Sequence, residues 1–346
     1  MSDLLKLAHP VPMISIVVLV HGVEEWLDEC LRSILSQSFT DFELIAVDDR
    51  SPDNSMDILR RCAAGDARVR ILSLEENVGQ GLARNAGLAA ATGEYVWFID
   101  GDDSVRPGAL REIADRLIVT GADIIVFGWE RVFPDGHSFR GGQQERLASA
   151  PNIFRLSEYP ELAMLAPFPW NKVVKRRLMS RYGYQFAVGI YEDVDFSLFM
   201  LAAARTVTVI NKAFVNYRQR YSSAMRASGD KHLSIFDHWS RAWSLINRHK
   251  LLSPKIHSVM FAHMIRHFVS VFNNESRVQS GSRKRFVVMA QELHREFRPQ
   301  DLNRPTQPSH RVENAAIATG SYVVLETMRR VRAYRSKRRG ARPGDM

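Results

Sequence analysis

Between residues 14 and 128, short β-branched runs alternate with stretches of helical spacing, and this alternation constrains the fold more than any other feature. Residues 14–20 form an apolar run interrupted by Ser15. Residues 24–37 follow, with Trp26, Leu27, Leu31, Ile34 and Leu35 on one helical face. A second strand is read at 42–47, a helix at 53–63, a third strand at 69–74 and a small-residue helix at 78–91. Residues 95–99, 107–117 and 123–127 then give strand, helix and strand. Strands joined through helices imply an α/β fold with a mainly parallel sheet flanked by helices on both faces. Residues 129–168 read as irregular, with a turn at Pro134-Asp135-Gly136 and a helical stretch at 157–165. Mixed structure returns over 169–220, with a helix at 195–204 and strands at 206–210 and 213–217.

In such a sheet, ligands bind at the carboxyl ends of the strands. The second strand runs into Asp48-Asp49-Arg50-Ser51-Pro52-Asp53, and the fourth into Asp100-Gly101-Asp102-Asp103. Carboxylates gathered there repel one another unless something cationic joins them. A hard divalent cation bridging to phosphate would do so, because Mg²⁺ usually takes one or two protein carboxylates plus phosphate oxygens. The same aspartates also suit turns and helix caps: Asp53 ahead of Ser55, and Asp103 or Ser104 ahead of the helix holding Pro107. A lone Asp-x-Asp would be read that way. Two clusters in register with the strand pattern favour a site.

Between the clusters lies Asn77-Val78-Gly79-Gln80-Gly81-Leu82-Ala83-Arg84-Asn85-Ala86-Gly87. Its Gly-x-Gly invites a dinucleotide reading. Arg84 stands where the third glycine should be, and the segment follows strand three rather than strand one, so that fingerprint fails. A helix start that projects Arg84 and Asn85 into the cleft fits better; a salt bridge from Arg84 to an aspartate of the sheet fits equally well.

These segments, in this order, resemble the family-2 glycosyltransferases and their nucleotide-sugar-binding GT-A fold. The resemblance covers roughly residues 14–225. It rests on 16–20; Ser33-Ile34-Leu35-Ser36-Gln37-Ser38-Phe39; Val47-Asp48-Asp49-Arg50-Ser51; the Asn77 to Gly87 segment; Gly93-Glu94-Tyr95 leading to Asp100-Gly101-Asp102-Asp103; Trp170-Asn171-Lys172; Glu192-Asp193; and Tyr217-Arg218. The resemblance implies a nucleotide-sugar site formed by Val20, His21, Asp48, Asp49, Arg84, Asp100, Asp102 and Asp103. Within it, Asp48 or Asp49 would bind base and ribose, Arg84 the base or nucleotide edge, and Asp100 the ribose. Asp102, with Asp100, would ligate Mg²⁺ or Mn²⁺ on the diphosphate, and Asp103 would either stand behind these ligands or assist the donor sugar. Trp170, Asn171, Lys172 and Glu192 would line the acceptor side, and Asp193 would be the general base of an inverting transfer. Asp193 or Asp195 could instead simply cap a helix.

Two departures matter. The family's first strand commonly ends Pro-Val-Tyr-Asn, where this chain has Leu19-Val20-His21-Gly22. Many members carry a metal-binding histidine after the Tyr-Arg pair, where this chain has Arg220. Either the metal has fewer protein ligands, or Arg220 supports the diphosphate charge.

The expected organisation is a GT-A-like catalytic domain over 1–228, a helical C-terminal region over 229–311, and an amphipathic helix with a basic tail over 312–346. Ile235, Phe236, Trp239, Trp243 and Leu245 form one apolar face, and Met260, Phe261, Met264, Ile265 and Phe268 another, as expected of packed helices. His263 and His267 stand at i and i+4, but no third metal ligand is apparent. The net charge is +9, and the segment from residue 329 onward holds eight arginines and lysines against one aspartate, so seven of those nine charges sit in the tail. A nearly neutral body weighs against nucleic acid as partner. Apolar residues leading into a basic run suit an anionic membrane surface; a solvated, frayed terminus fits about equally well.

Two cysteines, Cys30 and Cys62, cannot build a disulfide framework or a four-thiolate metal site. The 14–20 run is too short to span a bilayer and lacks signal-peptide features. A cytoplasmic enzyme, peripheral on the membrane, is therefore expected. It would transfer sugar from a nucleotide donor, with a UDP-sugar favoured, to a glycan or lipid-linked acceptor in cell-surface polysaccharide synthesis. The alternatives are a non-catalytic nucleotide- or glycan-binding member of the same fold, a nucleotidyltransferase, and a nucleic-acid binder acting through the tail.

Overall fold

The computed structural model describes residues 11–140, 143–220, 229–274, 276–300 and 308–338. The chain divides into two compact units, Met1–Arg220 and Tyr221–Met346.

The first unit opens with β1 (Ile14–Val20), α1 (Glu24–Leu35), β2 (Phe42–Asp48), α2 (Ser55–Gly65), β3 (Val69–Ser73), α3 (Gln80–Ala90) and β4 (Tyr95–Asp100). Every residue of β1 is buried, as a strand covered on both faces requires. Leu27, Cys30, Leu31 and Ile34 bury the inner stripe of α1. On the other face Gly87 lets α3 lie against the sheet, since a Cβ there would meet Val17 Cγ1 at 2.3 Å. The four strands pair in parallel in the order β3-β2-β1-β4. The chain winds outward from β1 to β3 and then returns to place β4 on the far side of β1. That reversal makes the carboxyl ends of β1, β2 and β4 a topological switch point, where such sheets bind ligands. Register brings Val20 opposite Asp48 and Leu19 opposite Asp100.

The remainder of the unit is β5 (Ser104–Val105), α4 (Ala109–Thr120), β6 (Ile124–Val132), β7 (Ser138–Arg140), α5 (Gln144–Ser149), β8 (Lys172–Lys175), α6 (Arg176–Arg181), α7 (Glu192–Ala203) and β9 (Val207–Arg218). Here the sheet becomes mixed. β8 runs antiparallel between β4 and β6, β9 lies parallel to β6, β5 pairs antiparallel with β9, and β7 pairs antiparallel with β6. The two strands expected at 206–210 and 213–217 are one strand, irregular where its register against β6 shifts around Gly128. A Cβ at Gly128 would lie 2.9 Å from the Lys212 carbonyl oxygen, so the shift requires glycine. Pairing of Ser104 with Asn216 carries the end of β9 to the Asp102-Asp103 turn.

In the second unit the helices are α8 (Ser234–Arg248), α9 (Pro254–Asn273), α10 (Arg283–Phe297), α11 (Pro308–Ala318) and α12 (Tyr322–Arg338). The two expected apolar faces bury Phe236, Trp239 and Trp243 with Met260, Phe261, Met264 and Phe268. Phe236 packs on Phe268 and Phe286, with ring centroids 4.8 and 4.7 Å away. His267 accepts a hydrogen bond from the Trp239 indole at 3.3 Å. Among the described residues, no group of three or more His, Cys, Asp or Glu is arranged to hold a metal ion. Nor is any described helix long and apolar enough to cross a membrane.

Candidate active site

The turn after β4 owes its shape to glycine. The Gly101 N–H donates to the Leu19 carbonyl at 2.8 Å, and a Cβ there would sit 2.7 Å from that same oxygen. Asp100 and Asp102 flank this close approach. Asp102 Oδ2 lies 2.5 Å from Arg220 Nε, and the Arg220 guanidinium covers the Trp26 ring at 4.9 Å. Burial, and then Asp100, push the Asp102 carboxyl up to about 6, against the pull of Arg220. Asp103 is deeper. Its Oδ1 accepts the Arg218 N–H at 2.9 Å, while Oδ2 is buried without a partner. Neither Asp103 nor Ser104 caps a helix: α4 begins at Ala109 behind Gly108, and Ser104 belongs to β5. Arg218 also donates to the Asp102 carbonyl at 2.9 Å and to Glu29 at 2.6 Å.

At the end of β2, Asp48 accepts the Ser51 N–H at 3.2 Å. Asp49 has both oxygens committed to backbone, accepting Val78 N–H at 2.7 Å and Gly79 N–H at 2.9 Å. It therefore fastens the loop before α3. Its own N–H donates to the Val20 carbonyl at 2.9 Å. His21 is exposed, with Nδ1 2.8 Å from the Asp49 carbonyl and Nε2 2.9 Å from the Asn77 amide nitrogen. Asp53 accepts Ser55 N–H at 3.1 Å and Glu24 N–H at 2.9 Å, tying α2 to α1.

Arg84 is turned inward. One guanidinium nitrogen donates to Asp100 Oδ1 at 3.1 Å and the other to Glu192 Oε1. Burial works against its charge, but Glu192 and Asp100 outweigh it and hold the group above its ordinary value. Asn85 does not open into a cleft: it donates to the Phe186 carbonyl at 2.9 Å and accepts the Phe186 N–H at 2.7 Å.

Glu192 and Asp193 begin α7. The residue before them, Tyr191, has φ of 74°, a left-handed conformation that costs a non-glycine residue roughly 1–2 kcal/mol. Asp193 keeps partial solvent exposure. Burial, followed by Glu192, pushes its carboxyl up to about 8, with Arg84 and Lys172 opposing. Asp195 faces the other way and accepts the Tyr184 hydroxyl at 2.9 Å. Lys172 is fully buried; its Nζ donates to the Phe168 carbonyl and to Asn171 Oδ1, both at 2.7 Å. Burial pulls it down to about 7, with Asp193 opposing. Asn171 Nδ2 is buried without a partner. The Trp170 carbonyl accepts the Trp97 indole N–H at 2.7 Å, and its ring stacks on Phe168 with centroids 4.5 Å apart.

The structure thus gathers Asp100, Asp102, Asp103 and Arg220 at one strand end and joins them through Arg84 to Glu192, beside Asp193. Asp48, Asp49, Val20 and His21 border the same switch point. Sequence reasoning missed Arg218, Glu29, Trp26 and the strained Tyr191. Arg218 left a trace only within the Tyr217-Arg218 motif, without a role, and Trp26 only as one residue of an apolar helical face. Carboxylate oxygens such as these are the donors a hard divalent cation takes, with phosphate and water completing its ligands; among the described residues they are not already grouped as a metal site.

A curled α/β sheet with acidic residues at its switch point defines a GT-A-like domain. Residues 15–183 match the family model described as Glycosyl transferase family 2, and this segment belongs to that family. The uncharacterized glycosyltransferase EpsJ of Bacillus subtilis (strain 168) is 30% identical over 217 residues, 62% of this chain and 63% of that protein. The succinoglycan biosynthesis protein ExoO of Rhizobium meliloti (strain 1021) is 36% identical over 143 residues, 41% of this chain and 40% of the relative. The chain spans less than two thirds of the length of these relatives. In fold it is similar to S. aureus TarS residues 1–349, solved in complex with UDP-GlcNAc. The TM-score is 0.77 at 20% identity, over 95% of this chain and 92% of that one.

Proposed function

We propose that the chain is an inverting glycosyltransferase that moves a sugar from a nucleoside-diphosphate donor to a glycan or lipid-linked acceptor in cell-surface polysaccharide synthesis. The observation that carries this reading is Arg84, which ties the Asp100–Asp103 cluster to the pair Glu192-Asp193. A donor diphosphate and an acceptor hydroxyl would then be addressed from two sides of one site. The UDP-GlcNAc complex of TarS supports a UDP-sugar, and the name of ExoO supports a polysaccharide product.

In a single displacement, the acceptor oxygen attacks the anomeric carbon as the bond to the diphosphate oxygen breaks, and configuration inverts. Asp193 takes the hydroxyl proton as general base. Val20, His21, Asp48 and Asp49 would shape the nucleoside pocket, and Asp103 would sit by the donor sugar. Asp100 and Asp102 would hold Mg²⁺ or Mn²⁺, which supplies Lewis-acid stabilisation of the leaving diphosphate. Arg220 would share that charge from Asp102. Trp170, Asn171, Lys172 and Glu192 would support the acceptor side.

Thermal unfolding with UDP, GDP, CDP and ADP, each with and without Mn²⁺, tests the reading. A ligand at about 100 times its Kd adds about 2.7 kcal/mol of stability. The expected result is a Mn²⁺-dependent rise with one nucleoside diphosphate that is lost in Asp102→Ala. No rise with any of them at millimolar concentration would overturn it.

A further inference from the structure

Arg84 is 2% exposed, one of the largest buried side chains among the described residues. Its two amino groups are committed to Asp100 and Glu192, and its Nε has no hydrogen-bond partner. Asp100 ends β4, and Glu192 opens α7 beside Asp193. A planar guanidinium fork can hold two carboxylates in one fixed relation, which an ammonium point charge cannot.

The helix that carries Arg84 is fastened on both sides of this link. Before α3, the Val78 and Gly79 N–H groups are held by Asp49. Within α3, Asn85 grips the Phe186 backbone through both its N–H and its carbonyl. Gly81 approaches the Ala187 carbonyl so closely that a Cβ would lie 2.1 Å from that oxygen. The segment so gripped leads into Tyr191 and its left-handed backbone, a conformation that persists only where surrounding structure over-determines it.

We infer that Arg84 is a positioning residue: it acts on neither nucleotide nor acceptor directly, but fixes donor-side Asp100 and the Glu192-Asp193 pair at their working separation. This rests on the glycosyltransferase reading above. A nucleotide-contacting Arg84 would instead act mainly on donor affinity.

The test uses the full chain with Mn²⁺. UDP affinity is measured by calorimetry, and saturated turnover by UDP release from UDP-GlcNAc, UDP-glucose and UDP-galactose. Arg84→Met, Glu192→Gln and the double variant are compared with the parent. Each single variant is expected to lose about a hundredfold in kcat, the scale of a small misplacement of reacting groups, and to lose less in UDP affinity than in kcat. The double variant is expected to be no worse than the poorer single one, because both changes cut one link. An affinity loss equal to or larger than the kcat loss overturns the proposal, and so do losses that multiply in the double variant. Should Arg84→Met fail to fold, Arg84→Lys carries the test: it keeps the charge without the fork and loses kcat likewise, whereas full turnover in it overturns the proposal. Should the parent bind GDP, CDP or ADP in place of UDP, the same comparison is made with that nucleotide and its sugars; a parent that binds none of the four overturns the glycosyltransferase reading and this one together.

Discussion

Asp193 would have to be ionised to accept a proton, yet its surroundings favour the protonated acid. Its carboxyl is pushed up to about 8 by burial and Glu192. The folded chain therefore binds a proton there that the unfolded chain releases near pH 4. This contribution to stability is complete below pH 4 and is lost as pH rises through about 8. Lys172, pulled down to about 7, acts oppositely but only above that pH. Asp193→Asn should therefore unfold at higher temperature than the parent at pH 7, with the difference shrinking toward pH 4. Melting curves across that range check this, and a constant difference would contradict it. Turnover in the parent should rise with pH toward 8, and Asp193→Asn should retain UDP affinity while losing turnover. The position of Asp193 was legible in sequence through the Glu192-Asp193 motif. The bridge from Arg84 to Asp100 was one of two readings the sequence left open; its second partner, Glu192, was not legible, because spacing places a residue on a helix without saying which distant neighbours will hold its charge.

At the scale of elements, α3 joins the end of β2 at the switch point to the segment before α7. Gly81→Ala places a methyl 2.1 Å from a backbone oxygen, a contact that side-chain repacking cannot relieve. Overpacking of this kind costs about 1–3 kcal/mol, so the variant should melt several degrees below the parent, as scanning calorimetry would show. Asn85→Ala removes both bonds to Phe186 and leaves its backbone groups unsatisfied, at about 1–3 kcal/mol each where buried; it too should melt below the parent. An unchanged midpoint in either variant would show that the junction carries no strain. The parallel half of the sheet was readable because each strand there is a mainly apolar run between helices, interrupted internally only by Ser15, Glu43 and Arg70. β8 was not, since Lys172–Lys175 is four residues long and begins and ends in lysine. It is a strand only because β4 and β6 supply partners on both sides. The continuity of β9 was hidden for a related reason: exposed Asn211 and Lys212 look like a turn, and pairing to β6 carries the chain past them.

For the whole molecule, charge separates what composition merges. Seven of the nine net positive charges lie from residue 329 onward, and residues 339–346 fall outside the described structure. Within α12, part of the basic character is internally matched: Glu326 accepts Arg329, Arg330 and Arg283, which together hold its carboxyl down at about 2. Val323 and Val331 on the same helix are exposed. Basic side chains near an anionic leaflet contribute about 1 kcal/mol each and fade within a Debye length. Several together would hold a chain at an anionic surface. Full-length protein should therefore sediment with vesicles containing phosphatidylserine but not with neutral phosphatidylcholine vesicles, and 0.5 M salt should release it. Deleting residues 329–346 should abolish sedimentation while leaving UDP affinity within about twofold, because none of the proposed site residues lies in that segment. Equal binding to neutral vesicles would assign the attraction to apolar surface instead. Salt-sensitive binding to RNA in place of vesicles, lost with the same deletion, would assign the tail to nucleic acid and detach it from the acceptor.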